Sequence, residues 1–310
     1  MSGRQQTIVK ILLALAVLVA LGLVFPVTPL PTIEGGPKAV LFADSPFPIS
    51  NSMLLSWIVT LVLILLTYFA THRMQTIPSG LQNLMEAVIE AIHGLVSDMA
   101  GERGKRFFPF VATIFLYVVL SNWLGLIPGV GPIGVKETVI ENGHAQQIIV
   151  PFLRSPSADL NNTVALAIIS VLMTQIFAIM ALGVFSYGAK WFNFRKWGTV
   201  VLALLGRRPR KGLAGLFLWG FIDIFVGLVE LFSEVMKLVT FSFRLFGNIF
   251  AGEVILIVMA YLFAQFLPLP FYALELFVGF IQAFVFAMLT LAFMSMATVQ
   301  HGGAESHAQH

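Results

Sequence analysis

The chain has 310 residues, of which 58% are hydrophobic and only 11% charged, with a net charge of +3. Soluble domains carry about 25% charged residues, so a water-facing surface is excluded and the chain belongs in lipid. The lack of cysteine excludes disulfides, thiolate chemistry and cysteine-ligated metals, and leaves the redox compartment open.

Apolar runs of about 20 residues, enough to cross a bilayer at about 1.5 Å per residue, recur along the chain. They are continuous blocks of Leu, Phe, Val and Ala without the alternation of barrel strands, so the predicted fold is an all-α integral membrane protein with about five transmembrane helices. At the start, Arg4 and Lys10 precede an apolar run from Ile11 to Phe25 and a Pro-rich stretch, Pro26 to Pro31. That pattern fits a removed signal and an uncleaved anchor equally, and either places the segment up to about residue 50 outside the cytoplasm. Met53 to Ala70 is the next predicted span, closed by His72 and Arg73. Between residues 81 and 100, Leu81, Leu84, Met85, Val88, Ile89, Ile92, Leu95, Val96 and Met99 recur at helical spacing among Gln82, Glu86, Glu90, His93 and Asp98. This predicts an amphipathic helix lying at the membrane surface.

Phe107 to Ile127 reads as a span, ended by the turn formers Pro128, Gly129, Gly131 and Pro132. A polar segment reaches Ser157, Asp159 to Phe185 gives another span, and a cationic loop occupies residues 190–211. Two apolar blocks close the chain, 213–266 and 269–299, parted where Pro268 and Pro270 interrupt helix continuity. As one helix the first block would reach about 80 Å against a hydrocarbon core of about 30 Å, so it must be tilted, bent or divided. The resulting division is an N-terminal signal or anchor with its extracytoplasmic segment (1–50), a membrane domain (51–300) and a disordered tail (301–310). Alternate loops hold Arg4, Lys10, Arg73, Arg103, Lys105, Arg106 and the seven Lys and Arg between 190 and 211, against only Lys38, Lys136 and Arg154 on the other side. The positive-inside rule therefore predicts a cytoplasmic C-terminus, and the basic excess reports topology instead of nucleic-acid binding.

The last two blocks carry charges that are expensive in lipid, about 2.5 to 3.5 kcal/mol each at mid-helix. With 3.6 residues to a helical turn, Lys237, Glu230, Asn248, Asp223 and Glu234 all fall within a quarter-turn of Arg244, on one side of it, and form a single polar stripe. Glu253 falls on the opposite side of the helix and needs another partner or water. An antiparallel register that levels Arg244 with Gln282 also nearly levels Glu253 with Glu275, so the final helix can bring a second carboxyl to Glu253. Two carboxyls at close range do not both ionise cheaply, which suits them to sharing a proton. Plainer readings stay open for part of the stripe: Asp223 fits snorkelling to the interface, and Glu230, Glu234 and Lys237 fit a buried ion-pair network. Arg244 differs, because no acidic residue lies three or four positions from it. The carboxylate it wants can come from another subunit.

The run Ser242-Phe243-Arg244-Leu245-Phe246-Gly247-Asn248-Ile249-Phe250-Ala251-Gly252-Glu253 resembles the signature of subunit a of bacterial F-type ATP synthases. Pro156-Ser157-Ala158-Asp159-Leu160-Asn161 with Thr163, Asn122 to Pro128, and Gln282-Ala283-Phe284-Val285-Phe286 extend the resemblance over residues 50–300. It implies a proton-translocating stator subunit of a rotary ATP synthase in the bacterial inner membrane, with two offset half-channels against a ring of c subunits. Arg244 matches the essential arginine that faces the ring carboxylate. Asn248, Glu253, Glu275 and Gln282 match positions of the periplasmic half-channel, Glu230 and Lys237 match polar positions towards the cytoplasmic one, and Asp159 joins the pathway candidates through its motif. The implied partners are the c-ring, the b subunits of the peripheral stalk and lipid, with no cofactor. Many bacterial members carry a His at the position of Glu275, and here both members of the pair are acidic. The family's steeply inclined helices fit the overlong block.

Two other classes fit less well. A secondary transporter predicts repeated halves with helices broken at corresponding positions, and the sequence has neither. A membrane scaffold leaves Arg244 unexplained. No G-x-x-x-x-G-K-[ST] loop, H-E-x-x-H or nucleophile elbow occurs, so the resemblance puts ATP chemistry in partner subunits.

Overall fold

The computed structural model describes residues 36–42, 48–127, 134–141, 144–184, 187–188, 213–262 and 268–298. The segment expected to be an N-terminal signal or anchor, the cationic stretch at 190–211 and the residues from 301 lie outside them. Among the described residues, five helical stretches are long and apolar enough to cross a membrane, as an all-α membrane protein requires. The elements in chain order are β1 (Ala39–Leu41), β2 (Ile49–Ser50), α1 (Asn51–Thr71), α2 (Leu81–Ala100), α3 (Gly104–Gly125), β3 (Gly134–Glu141), β4 (His144–Pro151), α4 (Leu160–Leu182), α5 (Leu213–Leu262) and α6 (Pro268–Ala297).

Local chemistry sets the ends. Ser50, in extended conformation, caps α1 by accepting from the amide of Met53 at 3.2 Å. The corner between α2 and α3 is a 3-10 turn, Gly101–Arg103, whose first residue has φ 55°, a backbone region that glycine enters without a Cβ clash. On α2, Gln82, Ile92 and Val96 are buried while Leu84, Leu95 and Met99 stay exposed. One edge of its apolar arc thus packs on protein and the other is left for lipid, with Glu86, Glu90 and Asp98 on the polar side. Residues 134–141 and 144–151, which composition marks only as polar, pair as antiparallel strands registered from Gly134 opposite Pro151 to Glu141 opposite His144. The overlong block is a single helix: α5 runs unbroken for 50 residues, about 75 Å of rise.

Two compact units are recognisable. The first comprises Met1–Glu86, Thr113–Thr163 and Phe243–Val285. Its core takes Leu55 and Val59 from α1, Ile114, Phe115 and Val118 from α3, and Leu245, Ile249 and Leu256 from α5. Helices in lipid gain no hydrophobic drive towards one another, so packing and hydrogen bonds hold them. Here Ser56 and Tyr117 hydroxyls meet at 2.8 Å, the Asn122 amide donates to the Gly279 carbonyl at 2.8 Å, and the Trp123 indole donates to the Leu276 carbonyl at 3.1 Å. The second unit comprises Ala87–Ala112, Val164–Ser242 and Phe286–His310. Phe107, Val111, Phe241, Leu291 and Met294 fill it, the hydroxyls of Ser170 and Thr290 meet at 2.7 Å, and Arg103 donates to the Thr298 carbonyl just past the end of α6 at 3.1 Å.

Helices α5 and α6 keep one antiparallel register in both units. Glu275 lies against Gly252 in the first; eleven residues along each helix, Phe286 meets Phe241 in the second, ring centres 5.0 Å apart.

Candidate functional site

The polar residues of the spans gather in two places, one inside each unit. In the first unit, the connection from β4 to α4 is buried without interruption from Arg154 to Asp159. Pro156 opens a 3-10 turn there, and the Ser155 hydroxyl donates to the Ser121 carbonyl at 3.2 Å. A methyl on Gly125 would fall 2.5 Å from Ser155 Cβ, so glycine lets α3 and this segment close up. The fold thereby carries a loop arginine into the protein. Arg154 Nε and Nη2 donate to Glu253 Oε2 at 3.2 and 3.0 Å, Nη1 donates to the Gly36 carbonyl at 2.8 Å, and the guanidinium lies 5.7 Å from the centre of the Phe250 ring.

The expected partner of Glu253 was Glu275; the ion pair it makes is with Arg154, which the sequence offered only as one of three basic residues on its side of the membrane. Glu275 is brought close in another manner. A methyl on Gly252 would overlap the Glu275 carboxyl group, so that group lies on the α5 backbone one residue before Glu253. It is 6% exposed, and its Oε1 is buried without a hydrogen-bond partner among the described residues. Ser121 Oγ, Asn122 Oδ1 and Ser157 Oγ are orphaned in the same way in this unit. Buried polar atoms are almost always satisfied, by protein or by water, so each of these orphans is a place where water can bind.

Asp159 is buried but occupied. One carboxylate oxygen accepts from the Ser52 hydroxyl at 2.5 Å and the other from the Asn161 amide at 2.9 Å, which caps α4 and ties it to the start of α1. Arg244 has the opposite character. It is half-buried on α5 and makes no hydrogen bond or ion pair with any described residue, and its face carries Gly247, Asn248 and Ala251, all exposed. A methyl on Gly247 would meet open space. Leu245, Ile249, Gly252 and Leu256, on the other side of α5, are buried. Gln282 is half-buried and likewise bonds to no described residue.

In the second unit, Lys237 Nζ donates to Glu234 Oε1 at 2.6 Å and lies 4.6 Å from the centre of the Phe293 ring, while the Gln175 amide donates to Glu234 Oε2 at 3.0 Å. The ion-pair network that sequence left open for Glu234 and Lys237 is present, and Gln175 of α4 joins it unforeseen. Glu230 is half-buried on the same helix.

Residues 53–295 match the profile of a family described as ATP synthase A chain. Among curated relatives, the chain is 31% identical over 239 residues to "ATP synthase subunit a 3" of Pelobacter propionicus, covering 77% of this chain and 83% of that one. It is 28% identical over 262 residues to "ATP synthase subunit a" of Moorella thermoacetica, covering 84% and 96%. A protein of the same description from Syntrophobacter fumaroxidans is 29% identical over 270 residues, covering 87% and 92%.

Proposed function

The chain belongs to the family of ATP synthase A chains, and from that membership we infer that it is the proton-translocating stator subunit of an F-type ATP synthase, a multi-pass protein of a bacterial membrane. It is part of an enzyme complex. In our reading it binds no nucleotide itself, and ATP chemistry resides in other subunits.

The observation that carries the mechanism is Arg244, unpartnered among the described residues, on an exposed face with small neighbours. A cation at membrane depth is expensive unless answered by negative charge. Small residues around it let another helix approach closely. We assign this face to the c-ring, with Arg244 facing the ring carboxylate as each c subunit passes. The guanidinium favours the deprotonated carboxylate and, as it releases no proton of its own, blocks a direct leak between the two half-channels.

The half-channel on the extracytoplasmic side is assigned to Asn248, Glu253, Glu275 and Gln282, supported by the orphaned polar atoms of Ser121, Asn122 and Ser157 beside them in sequence motifs or on neighbouring helices. Asp159 belongs to the wall of its mouth, since both of its oxygens are engaged. Glu230 and Lys237, with Glu234, are assigned to the opposite half-channel. The cytoplasmic C-terminus rests on the distribution of Lys and Arg, and the b subunits of the peripheral stalk complete the set of partners beside lipid.

The decisive test is Arg244→Ala in assembled complexes in inverted membrane vesicles. ATP-driven acidification, followed by quenching of a pH-sensitive dye, is abolished while ATP hydrolysis by the soluble sector persists. Normal acidification would sink the assignment.

A further inference from the structure

The proposed extracytoplasmic half-channel holds two carboxyls, and the structure treats them unequally. Arg154 is 6% exposed, with donors to Glu253 from two nitrogens and to the Gly36 carbonyl from the third. Its backbone is fixed as well, because residues 155–159 are buried and Ser155 is bonded to α3. Phe250, three residues before Glu253 on α5, flanks the guanidinium. Glu275 has none of this: it lies against Gly252 with Oε1 buried and unpartnered among the described residues.

Resting on the reading of this region as a proton half-channel, we propose that Arg154 is a positioning residue of the pathway: it holds Glu253 in a permanent ion pair and thereby leaves Glu275 as the carboxyl whose proton exchanges. A guanidinium releases no proton, so protonating Glu253 would strand a buried cation, which makes Glu253 a poor carrier. Arg154 offsets its fixed negative charge, so Glu253 repels its neighbour less than a free carboxylate would. Glu275 has no such tether. It takes a proton from water reaching Oε1, passes it on, and returns to the carboxylate, so the site is unchanged after each transfer. The same division explains how the pathway works with an acid at position 275: two free carboxyls there would repel each other, and the arginine removes one from the titration.

The test uses assembled complexes in inverted vesicles, with ATP-driven acidification normalised to the amount of complex. Arg154→Gln lowers acidification by about tenfold or more, because Glu253 is left as a half-buried, uncompensated charge beside Glu275. Adding Glu253→Gln to Arg154→Gln recovers most of that loss; adding Glu275→Gln recovers none. An arginine needed only for packing would give a loss that neutralising Glu253 does not relieve. Parental acidification in Arg154→Gln, or a double variant no better than the single one, overturns the proposal. Where Arg154→Gln fails to assemble, the yield of complex becomes the readout: recovery with Glu253→Gln supports the clamp, and failure to recover overturns it. Arg244→Ala in the same preparation separates the two levels. If it acidifies normally, the half-channel reading itself fails; if it is inactive while Arg154→Gln is indifferent, only the clamp fails.

Discussion

Arg154 and Arg244 belong to the same unit of the protein, one on a loop and the other on α5, and their surroundings are opposite. Around Arg154 the chain supplies a carboxylate, a carbonyl and an aromatic face, and every nitrogen of the guanidinium has an acceptor. Around Arg244 it supplies Gly247, Asn248 and Ala251 and no acceptor among the described residues. A buried cation satisfied by its own chain holds geometry, whereas one left open awaits charge from outside. Lys237, paired to Glu234 at 2.6 Å in the other unit, falls with Arg154 in this respect.

The largest expected effect breaks the open half of this contrast. Arg244→Lys keeps a positive charge but loses the planar fork and gains the ability to deprotonate when buried, so ATP-driven acidification falls by about a hundredfold. Acidification close to that of the parent would mean that any cation suffices on this face. A smaller effect sharpens the filled half: Gly252→Ala places a methyl where the Glu275 carboxyl group now lies, and acidification drops about tenfold as that group is displaced. An unaltered rate would show that the position of Glu275 is immaterial. Smallest is Ser52→Ala, which removes the donor to Asp159. It lowers stability by about 1.5 to 3 kcal/mol, seen as release of the subunit from purified complexes at lower temperature, with acidification per surviving complex within about twofold. Loss of acidification in complexes that remain intact would give Asp159 a part in transport beyond its cap.

The spans were legible because lipid imposes one strong rule, apolar length, and α1, α4 and α6 follow it within a few residues of the sequence reading. The α5–α6 register was legible for a related reason, since polar residues in lipid must be levelled with something. What escaped is long-range. Arg154 and Glu253 are 99 residues apart, and no periodicity links a loop arginine to a helix on another part of the chain. Gln175 sat in an apolar run where one amide gives no hint of its partner Glu234. The β3–β4 hairpin escaped although its signal was present: Asn142-Gly143 between two runs rich in Val and Ile is a strong two-residue turn pattern. Asp159 shows the limit of motif reading, because the same buried carboxylate serves as cap and tie, and the motif alone does not distinguish those duties from proton transfer.

The smoothness of α5 around Arg244 has a mechanical consequence. Packed helices lock because ridges of side chains settle into grooves, and Gly247, Asn248 and Ala251 raise almost no ridge. On the proposed assignment of this face to the ring, a rotor turning past these positions would meet no teeth: electrostatic attraction would grip at the charge and let go without a ratchet, and the stator would behave there as a bearing with a single magnetic stop.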